Sequence, residues 1–314
     1  MNTWFWRCVV VSSWLALLLW CSYWWQRSVA IALLGACLIA CGAGLQLGVQ
    51  MLMMRAVLRS RGQALPAASV AWRAWLAEWR WAVRIFGWQV PFQEHAEVDG
   101  PPPHRAGQAD IAPQGLVGVV LVHGYFCNRA VWNGWLRELK ARGIPCVAMT
   151  LEPAHGSPVD AMVENLDQCV KALVQHTGVA PLLVAHSMGG LVVRAWLKQL
   201  SASERAQYVV HVVTVATPHG GTWLARFAHR QPAVDMREGS DWLCQLGQPP
   251  LDVPFSCWCS SSDNIVFPLN LATLPQAQLH QVDDAAHMQL LFDARVWRYC
   301  LELRGQLQAA VDQA

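Results

Sequence analysis

Two long stretches without a charged side chain open this chain, and few folds accommodate them. Nineteen residues separate Arg7 from Arg27, and twenty-seven separate Arg27 from Arg55. A helix rises about 1.5 Å per residue, so about 20 apolar residues cross a bilayer core of roughly 30 Å, and each stretch is long enough. Trp4, Trp6, Trp20, Trp24 and Trp25 gather near the ends of the first stretch, where amphipathic rings favour the headgroup level. A lipoprotein signal is the rival reading, because Leu34-Gly35-Ala36-Cys37 and Leu38-Ile39-Ala40-Cys41 set small residues before a cysteine. The chain stays apolar as far as Met54, however, where a lipoprotein would begin a polar tether. The expectation is a hairpin of two transmembrane helices over residues 1–54, turning at Arg27. Arg7, Arg55, Arg59 and Arg61 then put both ends of the hairpin, and the rest of the chain, on the cytoplasmic side of a bacterial inner membrane.

Composition agrees. Charged residues make up 14% of the chain, where soluble domains carry about 25%, so disorder is excluded. The net charge of +2 makes no case for nucleic acid as a partner. It hides a split: the first 90 residues hold eight arginines and a single acid, Glu78, which leaves the remainder acidic. Within that basic front, Trp72, Trp75, Trp79, Trp81 and Trp88 interleave with Arg73, Arg80 and Arg84 at helical spacing. Such a helix either lies in a membrane surface or packs on a body through its tryptophans, and both readings stand. Gly100-Pro101-Pro102-Pro103 breaks any helix and reads as a linker, so residues 55–110 form a connecting segment.

Residues 111–314 alternate short apolar runs with amphipathic segments. Strands are expected at Leu116–Val122, Ile144–Leu151, Pro181–Ala185, Tyr208–Ala216, Val253–Cys259 and Gln278–Val282. Helices are expected from Asn128 to about Arg142, over Val159–His176 and Met188–Leu200, and from Met288 to about Ala310. That alternation predicts an α/β domain with a mostly parallel sheet and helices on both faces. The eleven cysteines suit a reducing compartment, and Cys257-Trp258-Cys259 is spaced for neither zinc nor redox chemistry.

The chemistry concentrates where Leu183-Val184-Ala185 meets His186-Ser187-Met188-Gly189-Gly190. A strand, a serine flanked by small residues and a helix start make a nucleophile elbow, so Ser187 is the candidate nucleophile. A serine nucleophile needs a base, an acid and oxyanion donors. His287, in Ala285-Ala286-His287-Met288 after the last strand, is the candidate base. Asp263, following a strand end and 24 residues before His287, suits the chain order Ser…Asp…His better than Asp283 or Asp284, which lie too near the histidine along the chain. The backbone N–H groups of Tyr125, after Val122-His123-Gly124, and of Met188 are the candidate oxyanion donors. His123, Gly124, Phe126, His186 and His219 are candidate substrate contacts.

These stretches, with Thr217-Pro218-His219-Gly220-Gly221-Thr222, Asp263-Asn264-Ile265-Val266 and Met236-Arg237-Glu238-Gly239-Ser240-Asp241-Trp242-Leu243, resemble the α/β-hydrolases of the bacterial lipase and esterase type over roughly residues 115–300. The resemblance implies that family's fold, a serine hydrolase mechanism without metal or cofactor, and an acyl ester substrate; the two apolar spans and the Trp/Arg segment, which would hold the pocket near lipid, make a lipid or other membrane-borne ester the expected one. Two departures stand out: Ala185 where most members have glycine, and a segment between Thr222 and Leu251 that is short for a lid. An acyltransferase or thioesterase would use the same triad, and a non-catalytic binding protein could keep the scaffold.

Overall fold

Long runs without charged side chains close their backbone hydrogen bonds internally when buried in apolar surroundings, and the first two elements are helices. The computed structural model describes residues 2–100, 114–153 and 156–313. α1 (Asn2–Trp24) and α2 (Val29–Ser60) form a hairpin whose turn lies at Trp25–Arg27, and Ser28 caps α2 by accepting from the Ile31 amide. Both are long and apolar enough to cross a membrane. Leu15, Leu18, Leu19, Leu33, Leu34 and Leu38 are all exposed, an apolar surface far beyond what a soluble monomer presents. α2 runs through Cys37 and Cys41 without a break and continues past Met54. Its last turns carry Met51, Met54, Val57 and Leu58 at helical spacing, and these are buried in one cluster with Ala74, Phe267 and Ala286.

α3 (Ala68–Arg84) lies against α2. Trp75 donates its indole N–H to the Gly44 carbonyl at 2.8 Å. Trp79 packs so closely on Gly44 that an added Cβ would sit 2.7 Å from its ring. Trp81 stacks on Phe292 with ring centroids 3.9 Å apart. Packing through tryptophans therefore accounts for half the pattern; Trp72, Leu76, Val83 and Trp88 face outward. The helix widens into a π-helical turn, Ile85–Gln89, and ends in α4 (Val90–Phe92). Arg129 then anchors the connection, donating to the carbonyls of Glu94 and Glu97 and to the Asp99 carboxylate. Gly100 pairs with Cys146 at the sheet edge, while Pro101–Pro103 of the expected linker lie outside the described residues.

The body is a six-stranded, wholly parallel sheet. Its strands are β1 (Val119–Val122), β2 (Cys146–Ala148), β3 (Leu182–His186), β4 (His211–Val215), β5 (Phe255–Ser260) and β6 (Gln278–Val282), in spatial order β2-β1-β3-β4-β5-β6. Both faces are buried: Val120, Val122, Leu183 and Ala185 enter one core, and Val119, Leu121, Leu182 and Val184 enter the other. The helices are α5 (Asn133–Ala141), α6 (Val163–Thr177), α7 (Met188–Gln199), α8 (Ala202–Tyr208), α9 (Asp241–Leu246), α10 (His287–Leu291) and α11 (Ala294–Asp312).

Several boundaries differ from expectation for local reasons. Leu116 and Val117 are apolar but precede the first ladder pair, Val119 with Leu182. Tyr208, expected in a strand, ends α8, which a Ser201–Glu204 capping box starts. The terminal helix is two helices, because the Asp293 side chain accepts from the Arg295 amide at 2.8 Å and begins a new one.

The contact at Gly44 is a packing limit. Gly44→Val should lower the unfolding free energy by about 1–3 kcal/mol through overpacking against Trp79. Gly42→Val, whose Cβ meets nothing within 4 Å, should not. Thermal unfolding of the two variants in detergent is the check; equal midpoints would contradict the packing argument.

Candidate active site

Ser187 sits at the β3-to-α7 turn with φ 53° and ψ −128°, a left-handed conformation that a side chain adopts only when its surroundings enforce it. They do so through the Ser187 amide, which donates to the Val215 carbonyl at 2.8 Å, and through the Gly190 amide, which donates to the Ser187 carbonyl at 3.0 Å. The β1 end crowds against the turn: a Cβ on Gly124 would lie 2.8 Å from the Ser187 Cβ. Only glycine lets the following loop pass there. Ala185 is fully buried, in register between Val122 and Thr214, and its methyl group is accommodated.

His287 arrives from a distant part of the chain, as the first residue of α10. Its Nε2 lies 3.0 Å from the Ser187 Oγ, and its Nδ1 lies 3.0 and 3.1 Å from the two carboxylate oxygens of Asp263. Asp263 is in turn fixed by the amides of Ile265 and Val266, which donate to its Oδ1 at 2.8 and 2.9 Å. All three side chains are buried. Burial alone would push the His287 pKa down; the Asp263 carboxylate, assisted by Glu78, outweighs it and holds the pKa above the ordinary histidine value. A carboxylate on Nδ1–H leaves the Nε2 lone pair facing the serine hydroxyl, the tautomer a general base requires.

The other expected residues divide. Met188 opens α7, where the first-turn amides have no partner within the helix, and Tyr125 follows Gly124 beside Ser187. His123 is turned into the protein: its Nδ1 meets the Gly124 carbonyl at 2.8 Å and its Nε2 accepts from the Leu151 amide at 2.9 Å, so it braces the loop. Burial takes its pKa down to about 4. Phe126 has φ 61°, accepts on its carbonyl from the Trp6 indole at 2.9 Å, and stacks on Phe5. The His186 ring lies 4.9 Å from that of His287, and neither of its nitrogens has a partner among the described residues. His219 belongs to a separate buried group: Thr214 Oγ1 is 3.0 Å from its Nε2, and Arg194 donates to its carbonyl at 2.8 Å. Among the described residues no three His, Cys, Asp or Glu side chains converge as metal ligands.

Three contacts at the site were not anticipated. Glu78 of α3 accepts from the amides of Met288 and Gln289. Asn264, beside Asp263, accepts from the His287 amide at 3.3 Å and donates to Gln50 of α2 at 2.8 Å. Trp6 of α1 reaches the loop after Gly124. The only available signal was Glu78 itself, a lone acid in a basic, tryptophan-rich front.

A parallel sheet in this order, with a strained serine at the end of β3 and a histidine and an aspartate delivered by later loops, defines an α/β-hydrolase. The chain belongs to the alpha/beta hydrolase family, whose sequence pattern matches residues 119–300. Among solved structures, the mature form of the Bacillus licheniformis lipase BlEst2 superposes with a TM-score of 0.52 at 18% identity, covering 65% of this chain and 99% of that one. Its propeptide form gives 0.50 at 18% identity, over 62% and 49% of the two chains. Aspergillus fumigatus lipase B gives 0.49 at 17% identity, over 60% and 52%. At these identities the likeness is one of fold. No curated protein matches the chain in sequence.

The buried histidines set an acid limit on stability. Burial pushes His123 and His211 down to about 4, and His186 and His219 well below their ordinary value. An unfolded chain protonates its histidines near pH 6.5, so as pH falls from there towards about 4 it binds protons that the folded chain refuses, and stability is lost. Glu78 and His287, both raised, act with the opposite sign but are outnumbered. Unfolding midpoints of the detergent-solubilised protein should therefore fall between about pH 7 and about pH 5; a flat or rising profile would contradict this.

Proposed function

We propose that the chain is a membrane-anchored serine hydrolase that cleaves carboxylic esters of lipids through an acyl-enzyme. One observation carries the reading: Ser187 Oγ, His287 Nε2, His287 Nδ1 and Asp263 stand in an unbroken hydrogen-bonded line, with steps of 3.0 Å at each end of the imidazole.

The geometry supports the following chemistry. The Ser187 hydroxyl gives its proton to His287 Nε2 as Oγ bonds to the ester carbonyl carbon. Asp263 accepts the Nδ1–H throughout and stabilises the imidazolium that forms. Charge moves to the carbonyl oxygen, where the amides of Tyr125 and Met188 receive it; loss of one such donor costs about 3–4 kcal/mol in enzymes of this type. The tetrahedral centre then collapses, the bond to the leaving alcohol breaks, and the imidazolium protonates that alcohol. Water enters, gives one proton to His287 and bonds to the acyl carbon. Collapse releases the acid and returns the proton to Ser187. Each proton taken is given back, and the balance needs no cofactor.

A lipid substrate is supported by the surroundings. α1 reaches the loop after Gly124 through Trp6, and the end of α2 packs on Ala286, next to His287. With both helices in a bilayer, the loops that flank Ser187 and His287 would be held at the membrane that carries the substrate. Trp72, Leu76 and Val83 on the outer face of α3, and Trp88 in the π-helical turn after it, would then rest at the lipid surface, with Arg73, Arg80 and Arg84 near anionic headgroups. The arginine distribution favours a cytoplasmic body at a bacterial inner membrane.

Ser187→Ala should abolish labelling by a fluorophosphonate probe and lower hydrolysis of p-nitrophenyl esters by about 10⁴-fold or more, with Asp263→Asn similarly affected. Equal labelling of Ser187→Ala and the unmodified protein refutes the assignment. Activity should sediment with membranes and resist carbonate extraction, and medium- or long-chain esters should outrun acetate esters; activity confined to acetate would count against a lipid substrate.

A further inference from the structure

Glu78 is out of place by every local rule. It is the one acid among the first 90 residues, and in a helix of tryptophans and arginines it is only 2% exposed. A buried carboxylate is costly unless paired and hydrogen-bonded. Among the described residues no lysine or arginine bonds to it, and Arg73, Arg80 and Arg84 of its own helix lie on the exposed side. Its partners are instead three hydrogen bonds with backbone: the Met288 amide to Oε1 and Oε2 at 3.0 and 2.9 Å, and the Gln289 amide to Oε2 at 3.0 Å. Those amides belong to the two residues directly after His287.

We infer that Glu78 is a positioning residue of the active site, a second carboxylate supplied from outside the hydrolase domain that holds the His287 backbone in place and adds to the field of Asp263 on the imidazole. The inference rests on the serine-hydrolase reading above and deepens it.

Two further observations point the same way. Asn264 uses both ends of its side chain, accepting from the His287 amide and donating to Gln50 of α2, so a second front helix grips the same segment. Gly44 lets Trp79, the neighbour of Glu78, seat directly on α2, which fixes the depth at which the carboxylate enters. α3 is thereby wedged between the long apolar helix and the segment that bears the histidine.

The charged groups facing the pair are few. His287 is faced by Asp263 after β5, by Glu78 of α3, and by the His186 ring at the end of β3. Glu78 is faced by His287 and Asp263, and its burial raises its own pKa to about 7. An anion beside His287 favours the imidazolium, so its removal makes His287 a weaker base and lets it stay neutral to lower pH.

Glu78→Gln separates charge from shape. One amide oxygen can still accept from Met288 and Gln289, while the negative charge is gone. The experiment is the pH dependence of fluorophosphonate labelling of Ser187 in the full-length, detergent-solubilised protein. Glu78→Gln should label severalfold more slowly on the alkaline plateau, since a His287 that has lost an anionic neighbour is a weaker base for the Ser187 proton. Its acid limb should move to lower pH. Glu78→Asp, which restores the charge one methylene further back, should return the limb towards that of the unmodified protein and recover part of the rate. A merely structural Glu78 would change yield or melting temperature and leave the limb where it was. A Glu78→Gln limb superimposable on the unmodified one overturns the inference. Should Glu78→Gln not fold, Glu78→Asp alone decides: slower labelling on the alkaline plateau, with the charge retained but the carboxylate one methylene short of the Met288 and Gln289 amides, supports the role, and a rate equal to that of the unmodified protein overturns it. Failure of Ser187 to label in the unmodified protein refutes instead the serine-hydrolase reading on which this rests.

Discussion

An imidazole taken out of water tends to lose its proton and its orientation together, and at His287 both are held by carboxylate. Asp263 accepts from Nδ1 at 3.0 Å, and its own position is fixed by the amides of Ile265 and Val266. That single contact sets the tautomer, aims Nε2 at Ser187 and opposes the effect of burial on the ring's charge. Around it the fold converges: β3 delivers the strained serine, β5 leads to the aspartate, and the loop after β6 brings in the histidine. The parallel sheet matters because it puts all three strand ends on one side.

The front of the chain is more than a tether in this arrangement. α1 touches the loop after Gly124, α2 reaches Asn264 through Gln50, and α3 inserts Glu78 under the residues that follow His287. With little sequence between Thr222 and Leu251 from which to build a cap, α1, α2 and α3 take up space beside the site. Packing of this kind couples the placement of His287 to the seating of α2 and α3, so that a distortion at either helix has a direct mechanical route to His287.

Much of this was legible beforehand, and for identifiable reasons. The sheet followed from runs such as Val119–Val122 and Leu182–His186, where both faces are apolar because helices cover both. Ser187 was legible because a strained turn between strand and helix tolerates few residues, and Asp263 and His287 because their order along the chain and their places at strand ends are constrained. Strand and helix ends were less legible: the limits of β1 depend on where a neighbour pairs, and the break before α11 depends on one aspartate side chain. His123 and His219 drew attention as polar residues near the motifs, yet their rings are taken up by internal hydrogen bonds that only proximity in space reveals.

By itself, then, the order of residues determined what is periodic or local: two apolar helices, an alternating α/β body, and a small-x-Ser-x-Gly turn. Tertiary structure alone decided which distant groups meet. Glu78 lies more than two hundred residues before the amides it accepts from, and Gln50 a similar distance before Asn264. No pattern in the chain announces such pairs, because hydrogen bonds and burial depend on separation in space, and the folded packing of α2 and α3 against the β5 and β6 loops is what makes that separation small.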